Sequence, residues 1–250
     1  MRSIAILFAS LFLLLGNSAR SFAQQELVIE NFTPPKFDDD TKPDTFVPGV
    51  FPEAWKYRDK KAESIYGVMK EGNPEKYFLK AKTTGTGIQT LKKFSVDLKE
   101  YPVLEWNWRL IKFPAEGKIT DQLNADNGAS VYVIFSGFLS RTALKYIWSS
   151  YYTKVSDVPA KVQLKTIALR DKSDPKNVWF PEARNIREDY MKYYGKEPPK
   201  VIAIAVMTDA DDTESYAEAD YADFRMTKTM PSVSEPPKPF ESIPKSTSKK

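Results

Sequence analysis

The 250-residue chain contains no histidine and no cysteine. These two absences exclude Ser-His-Asp and Cys-His nucleophiles, imidazole or thiolate metal centres, a disulfide framework and lipidation at cysteine. Any catalysis would have to use carboxylates, lysine, arginine, tyrosine or hydroxyls, and any metal would be a hard cation held by oxygen. A concentrated basic face is missing too. The 37 Lys and Arg against 33 Asp and Glu give a formal +4. Two of those arginines, Arg2 and Arg20, fall in the first 23 residues, and the final segment 227–250 carries five lysines against two glutamates. The body between is close to neutral, which argues against a nucleic-acid partner.

Residues 1–23 read as a secretory signal peptide. Arg2 gives the positive start, 4–15 form an apolar run, and Ser21-Phe22-Ala23 offers a cleavage site near Ala23. That run is shorter than the roughly 20 residues of a membrane-spanning helix, and no later stretch approaches such a length. The expectation is an exported chain, periplasmic or secreted, with no membrane span after cleavage. Residues 227–250, rich in Pro, Lys and Ser, read as an extended tail that buries no core. The stretch 24–226 has the length of a single domain.

Within that stretch the pattern predicts about ten strands, at 26–32, 64–69, 76–83, 88–98, 103–113, 129–137, 144–150, 162–170, 201–208 and 216–226. Each is rich in Val, Ile, Phe, Tyr or Trp and bounded by Gly, Pro, Asn or Asp. One helix is predicted near 185–194, with Asn185 as N-cap, Glu188 as its capping-box partner and Gly195 as the stop. Many strands without a βαβ rhythm predict a mainly β, antiparallel, jelly-roll-like β-sandwich. The strands at 201–208 and 129–135 are apolar on both faces and should be central.

Period-two alternation at 103–111 puts Leu104, Trp106, Trp108 and Leu110 on one face and Glu105, Asn107 and Arg109 on the other. The apolar side belongs to the core. The polar side is either a solvent face of ion pairs or the lining of a ligand-binding sheet, and Asp223 and Arg225 are read as sharing a face with Tyr221 in the last strand. Glu182 and Arg184 alternate with Ala183 and could face a cleft, while Tyr151 is read as an exposed aromatic. On the binding reading, Glu105, Asn107, Arg109, Tyr151, Glu182 and Arg184 contact a polysaccharide or other envelope polymer. A carboxylate glycosidase using Glu105, Glu182 and the acids at 209–212 is the enzymatic alternative. A structural or assembly role in the cell envelope is the third. Asp209, Asp211 and Asp212 leave a strand end together with Glu214, a composition suited to Ca²⁺ or to a turn capped by carboxylates. Asn124-Ala-Asp-Asn-Gly128 would supplement that loop if its strand ends on the same rim.

The order of several motifs resembles a known family. They are Tyr101-Pro-Val-Leu-Glu-Trp-Asn-Trp-Arg109, Asp126-Asn-Gly-Ala-Ser-Val-Tyr-Val-Ile-Phe135, Leu144-Lys-Tyr-Ile-Trp148, Glu182-Ala-Arg-Asn-Ile-Arg-Glu-Asp-Tyr190, Gly195-Lys-Glu-Pro-Pro199, Ala203 through Thr213 and Ala219-Asp-Tyr-Ala-Asp-Phe224. Together they resemble the bacterial domain-of-unknown-function family 3047, over about 26–226. The resemblance implies an exported β-sandwich, galactose-binding-like in outline, with no activity or catalytic residues to carry over. This chain has Asp212-Thr213-Glu214 where that family typically has Asn-Thr-Gly.

Overall fold

Alternating side chains and frequent turn residues give the described residues thirteen strands and two helices in the computed structural model. It describes residues 26–33, 46–49, 51–52, 54–72, 75–116, 126–137, 140–154 and 156–232. The expected signal peptide and most of the expected tail lie outside the described residues. In chain order the first elements are β1 (Glu26–Glu30), β2 (Trp55–Tyr57), α1 (Ala62–Ile65), β3 (Tyr66–Glu71), β4 (Lys76–Thr84), β5 (Thr90–Lys93), β6 (Val103–Lys112) and β7 (Ala129–Phe135). There follow β8 (Thr142–Trp148), β9 (Asp157–Lys161), β10 (Leu164–Arg170), β11 (Phe180–Asn185), α2 (Ile186–Tyr194), β12 (Val201–Met207) and β13 (Tyr216–Thr227).

Two sheets form the sandwich. One runs β11-β6-β13-β4-β3, with β1 also paired to β13; the other runs β2-β5-β12-β7-β8-β10-β9. The fold is thus mainly β, as expected, and β12 and β7 are neighbours inside their sheet. One pair departs from the antiparallel expectation. β10 lies parallel to β8, because the chain first reaches the sheet edge as β9 and returns through an antiparallel hairpin.

The apolar side of β6 builds the centre of the core. Trp106 and Trp108 meet edge to face at 5.6 Å, Tyr146 packs 5.5 Å from Trp106, and Trp148 packs 5.8 Å from Trp108. All four are essentially buried. Aromatic residues each remove 150–250 Å² from water, so this cluster stabilises the contact between the sheets. At α2 the Asn185 side chain accepts the Glu188 N–H at 3.2 Å, and Gly195 adopts φ 68° while donating to the Met191 carbonyl.

Four short elements escape the sequence pattern: β2, α1, β9 and β11. Three to six residues do not establish a period. Segment 180–185, read as the approach to the helix, instead pairs along β6 from Phe180↔Trp108 to Asn185↔Val103 as an edge strand, a place that tolerates Pro181.

Glu214, in the loop before β13, sits at φ 47°. Left-handed backbone costs an L-residue roughly 1–2 kcal/mol and glycine almost nothing, against a loss of about 0.5–1 kcal/mol from glycine's freer unfolded chain. Glu214→Gly is therefore expected to raise stability by about 0.5 kcal/mol, read as a higher urea midpoint at constant slope. An unchanged or lower midpoint would show that Glu214 makes compensating contacts.

Candidate functional site

The polar side of β6 is turned away from the core, yet it is not open. Glu105 is 6% and Asn107 1% exposed. Arg225 forms an ion pair with Glu105, and the Thr227 hydroxyl donates to the same carboxylate at 3.2 Å. Asn107 donates to Asp223 at 3.4 Å. Arg109 donates from Nε to Asp220 Oδ2 at 2.8 Å and from both terminal nitrogens to Glu71, at 3.3 and 3.0 Å. Its guanidinium lies 4.4 Å from the Trp179 ring and 5.3 Å from the Phe78 ring. Trp179 in turn donates to Glu71 at 2.6 Å. Met69, Phe78, Trp179 and Ala222 form a small apolar cluster on this face, with Phe46 packed against it.

Asp220, fully buried, completes the row: Lys80 on β4 stands 2.8 Å from its Oδ1 and Arg109 on β6 binds its other oxygen. The register pairs Lys80↔Asp220↔Arg109 directly across three strands. Burial pushes the Asp220 carboxyl above the ordinary range, and the two cations pull it back. The β6 ladder is thus engaged by partners within the chain.

Asp223 and Arg225 do not share a face with Tyr221. A bulge between Ala222 and Arg225, with Asp223 at φ 53°, shifts the register by one residue. Tyr221 points into the core, where its hydroxyl donates to the Met207 carbonyl, while Arg225 reaches Glu105 on the opposite face.

Glu182 and Arg184 are on the other side of the sheet from the ladder, because they pair with Trp106 and Leu104. Glu182 accepts from Trp108 Nε1 at 3.0 Å and from Arg170 Nε at 2.6 Å; burial raises its carboxyl pKa and Arg170 opposes the shift. Arg184 binds Asp189 through two nitrogens, and the Tyr146 hydroxyl donates to Asp189 at 2.8 Å. Tyr151 is 48% exposed beyond the end of β8, in edge-to-face contact with Tyr152. The six residues read as one binding set therefore divide among three places.

The acidic loop after β12 meets residues 126–128 before β7, since Val206↔Val131 and Met207↔Ser130 bring those ends to one rim. The carboxylates of Asp126, Asp209 and Asp211 each offer an oxygen within 4.8 Å of the others. Asp212, expected in this group, instead presents its backbone N–H to Asp126 at 3.1 Å. Asp126 also accepts from the Thr213 N–H and hydroxyl, at 3.0 and 2.5 Å. Gly87 bridges Asp209, and a Cβ there would fall 1.8 Å from Asp209 Oδ1.

Elsewhere, a cleft of about 650 Å³ opens between residues 95–99 and 197–200. Val96, Leu98, Pro198 and Pro199 contribute its apolar walls, and Ser95, Asp97, Lys99, Arg187, Glu197 and Lys200 its polar ones. Nothing in the spacing of these residues marks them as a group; only the fold of α2 back toward the β5–β6 connection joins them. Arg187 pairs with Glu197 inside this cleft. Among the described residues no helix is long and apolar enough to cross a membrane.

The structure is similar to several solved proteins. One is a family 11 carbohydrate-binding module from Clostridium thermocellum in complex with a β-1,3-1,4-mixed-linked tetrasaccharide, at 7% identity and TM-score 0.40, covering 82% of this chain and 96% of that one. Another is an endoglucanase from Rhodothermus marinus, at 13% identity and TM-score 0.39, covering 69% and 95%. A third is the xyloglucanase domain of a type three effector from Sinorhizobium fredii in complex with cellobiose, at 11% identity and TM-score 0.37, covering 72% and 96%. No curated protein matches the sequence. The model of the family DUF3047, a protein of unknown function, matches residues 53–225, and the chain belongs to that family.

Proposed function

We propose that this chain is an exported, non-catalytic binding domain whose ligand is a carbohydrate or a related polyhydroxylated envelope polymer. The observation that carries the reading is the cleft between 95–99 and 197–200. Its proline and aliphatic walls suit the C–H faces of a sugar ring, and Lys99, Arg187 and Lys200 can donate to ring hydroxyls. A cleft of mixed lining selects an amphipathic ligand over a purely apolar one.

The same geometry weighs against a carboxylate enzyme built from the sequence candidates. Glu105 and Glu182 occupy opposite faces of one sheet, each tied to an arginine, and Asp209 lies in a loop leaving the other sheet. A glycosidase needs its two carboxyl groups to flank one bond, roughly 5–9.5 Å apart, with an approach for water.

The test is affinity electrophoresis of the full chain against cell-wall and exopolysaccharide fractions, with β-1,3-1,4-mixed-linked glucan in the panel. Retardation by at least one polymer is expected. The double variant Arg187→Ala/Lys200→Ala is expected to lose about tenfold in affinity, the worth of one or two hydrogen bonds. Retardation by no fraction, or equal retardation of the double variant, would overturn the assignment.

A further inference from the structure

We infer that Asp126, Asp209 and Asp211 form a binding site for a hard divalent cation, with Ca²⁺ the ion that fits. Three carboxylates within 4.8 Å repel one another, and that alone would describe many acidic turns. A second observation separates this one. Asp209 is 5% exposed, and its Oδ1 has no hydrogen-bond partner among the described residues. A buried carboxylate oxygen without a donor is costly, and a coordinated cation removes that cost.

The surroundings hold the three groups in place. Asp126 is fixed by the Asp212 and Thr213 backbone N–H groups and the Thr213 hydroxyl. Asp209 is fixed by its bridge to Gly87 and by its own N–H, which donates to the Asn127 carbonyl at 3.2 Å. Asp211 is exposed and completes the group from the solvent side.

The donor set decides the ion. All three ligands are oxygens, and the chain has no histidine or cysteine to favour Zn²⁺. Ca²⁺ accepts six to eight oxygens in flexible geometry and takes water in the remaining positions, whereas Mg²⁺ demands a near-ideal octahedron. The ligands come from the entrance to β7 and the β12–β13 connection, so the ion would clamp two loops that span both sheets. This inference is independent of the polymer-binding cleft.

The full chain, stripped with EDTA and dialysed against CaCl₂, is expected to retain one calcium per molecule by elemental analysis. Calcium at a hundredfold excess over Kd should raise the melting temperature by roughly 5–10 °C relative to EDTA. Asp211→Asn changes an exposed group, so it should fold, retain no calcium and melt alike in both buffers. Retention of no calcium by the wild type, or identical melts in calcium and EDTA, would overturn the site. Full retention by Asp211→Asn would overturn it as well.

Discussion

Replacing Asp220 by alanine is expected to destabilise the domain by about 3–5 kcal/mol, the cost of breaking a buried ion-pair network by deleting one partner. Asp220 is fully buried and stands between Lys80 and Arg109 in one row across β4, β13 and β6. Without it, an ammonium and a guanidinium face each other across β13 in a poorly solvated setting. Glu218 and Glu71 keep one cation each, at 2.8 and 3.0 Å, so the loss should not exceed the upper end of that range. Burial pushes the Asp220 carboxyl up even beside two cations. The triple change Lys80→Met, Asp220→Leu, Arg109→Met is expected to recover only part of the lost stability: apolar replacement of a buried ionic group is often neutral, but Glu218 and Glu71 then lose their cations. Chemical denaturation measures both. A loss below about 1 kcal/mol for Asp220→Ala would mean that water reaches the row and screens it.

The alternation of β6 made one side of the sandwich legible from residues alone, because period two depends only on the pleat. Trp106 and Trp108 lie in the core where that alternation puts them, and Asn185 and Gly195 bound α2 as their local chemistry requires. What covers the polar side of β6 was not legible. Alternation tells which residues share a face, but Phe78 and Met69 arrive on that face from the β3–β4 hairpin and Trp179 from the segment before β11. The side of the sheet on which Glu182 and Arg184 lie was not legible for a related reason: it follows from pairing with Trp106 and Leu104, a register no local pattern encodes. The bulge at Asp223 inverts the reading of Arg225 in the same way. At the rim, the acids at 209 and 211 were visible as a cluster. Replacement of Asp212 by Asp126 depends on β7 and β12 being neighbours.

Trp108→Ala should approach or exceed the effect at Asp220, at about 4–5 kcal/mol, because it opens a cavity among Trp106 and Trp148 and also removes a donor from partly buried Glu182. Trp108→Phe separates the two contributions. It keeps the larger part of the ring volume and removes the N–H, for an expected cost of about 1–3 kcal/mol at neutral pH. The hydrogen-bond share carries a pH signature. Burial already raises the Glu182 carboxyl, while Arg170 and the Trp108 N–H hold it down, so removing the N–H raises it further. A carboxyl raised on folding penalises the folded state once it is ionised. That penalty is complete above the folded pKa and vanishes as pH falls toward the ordinary carboxylate value, near pH 4. The stability gap between wild type and Trp108→Phe should therefore be widest at neutral pH and narrow in acid. Urea denaturation at several pH values reads the gap directly. A gap that stays constant down to about pH 4 would assign the loss to packing, and Glu182 would then owe its place beside the core to Arg170 alone.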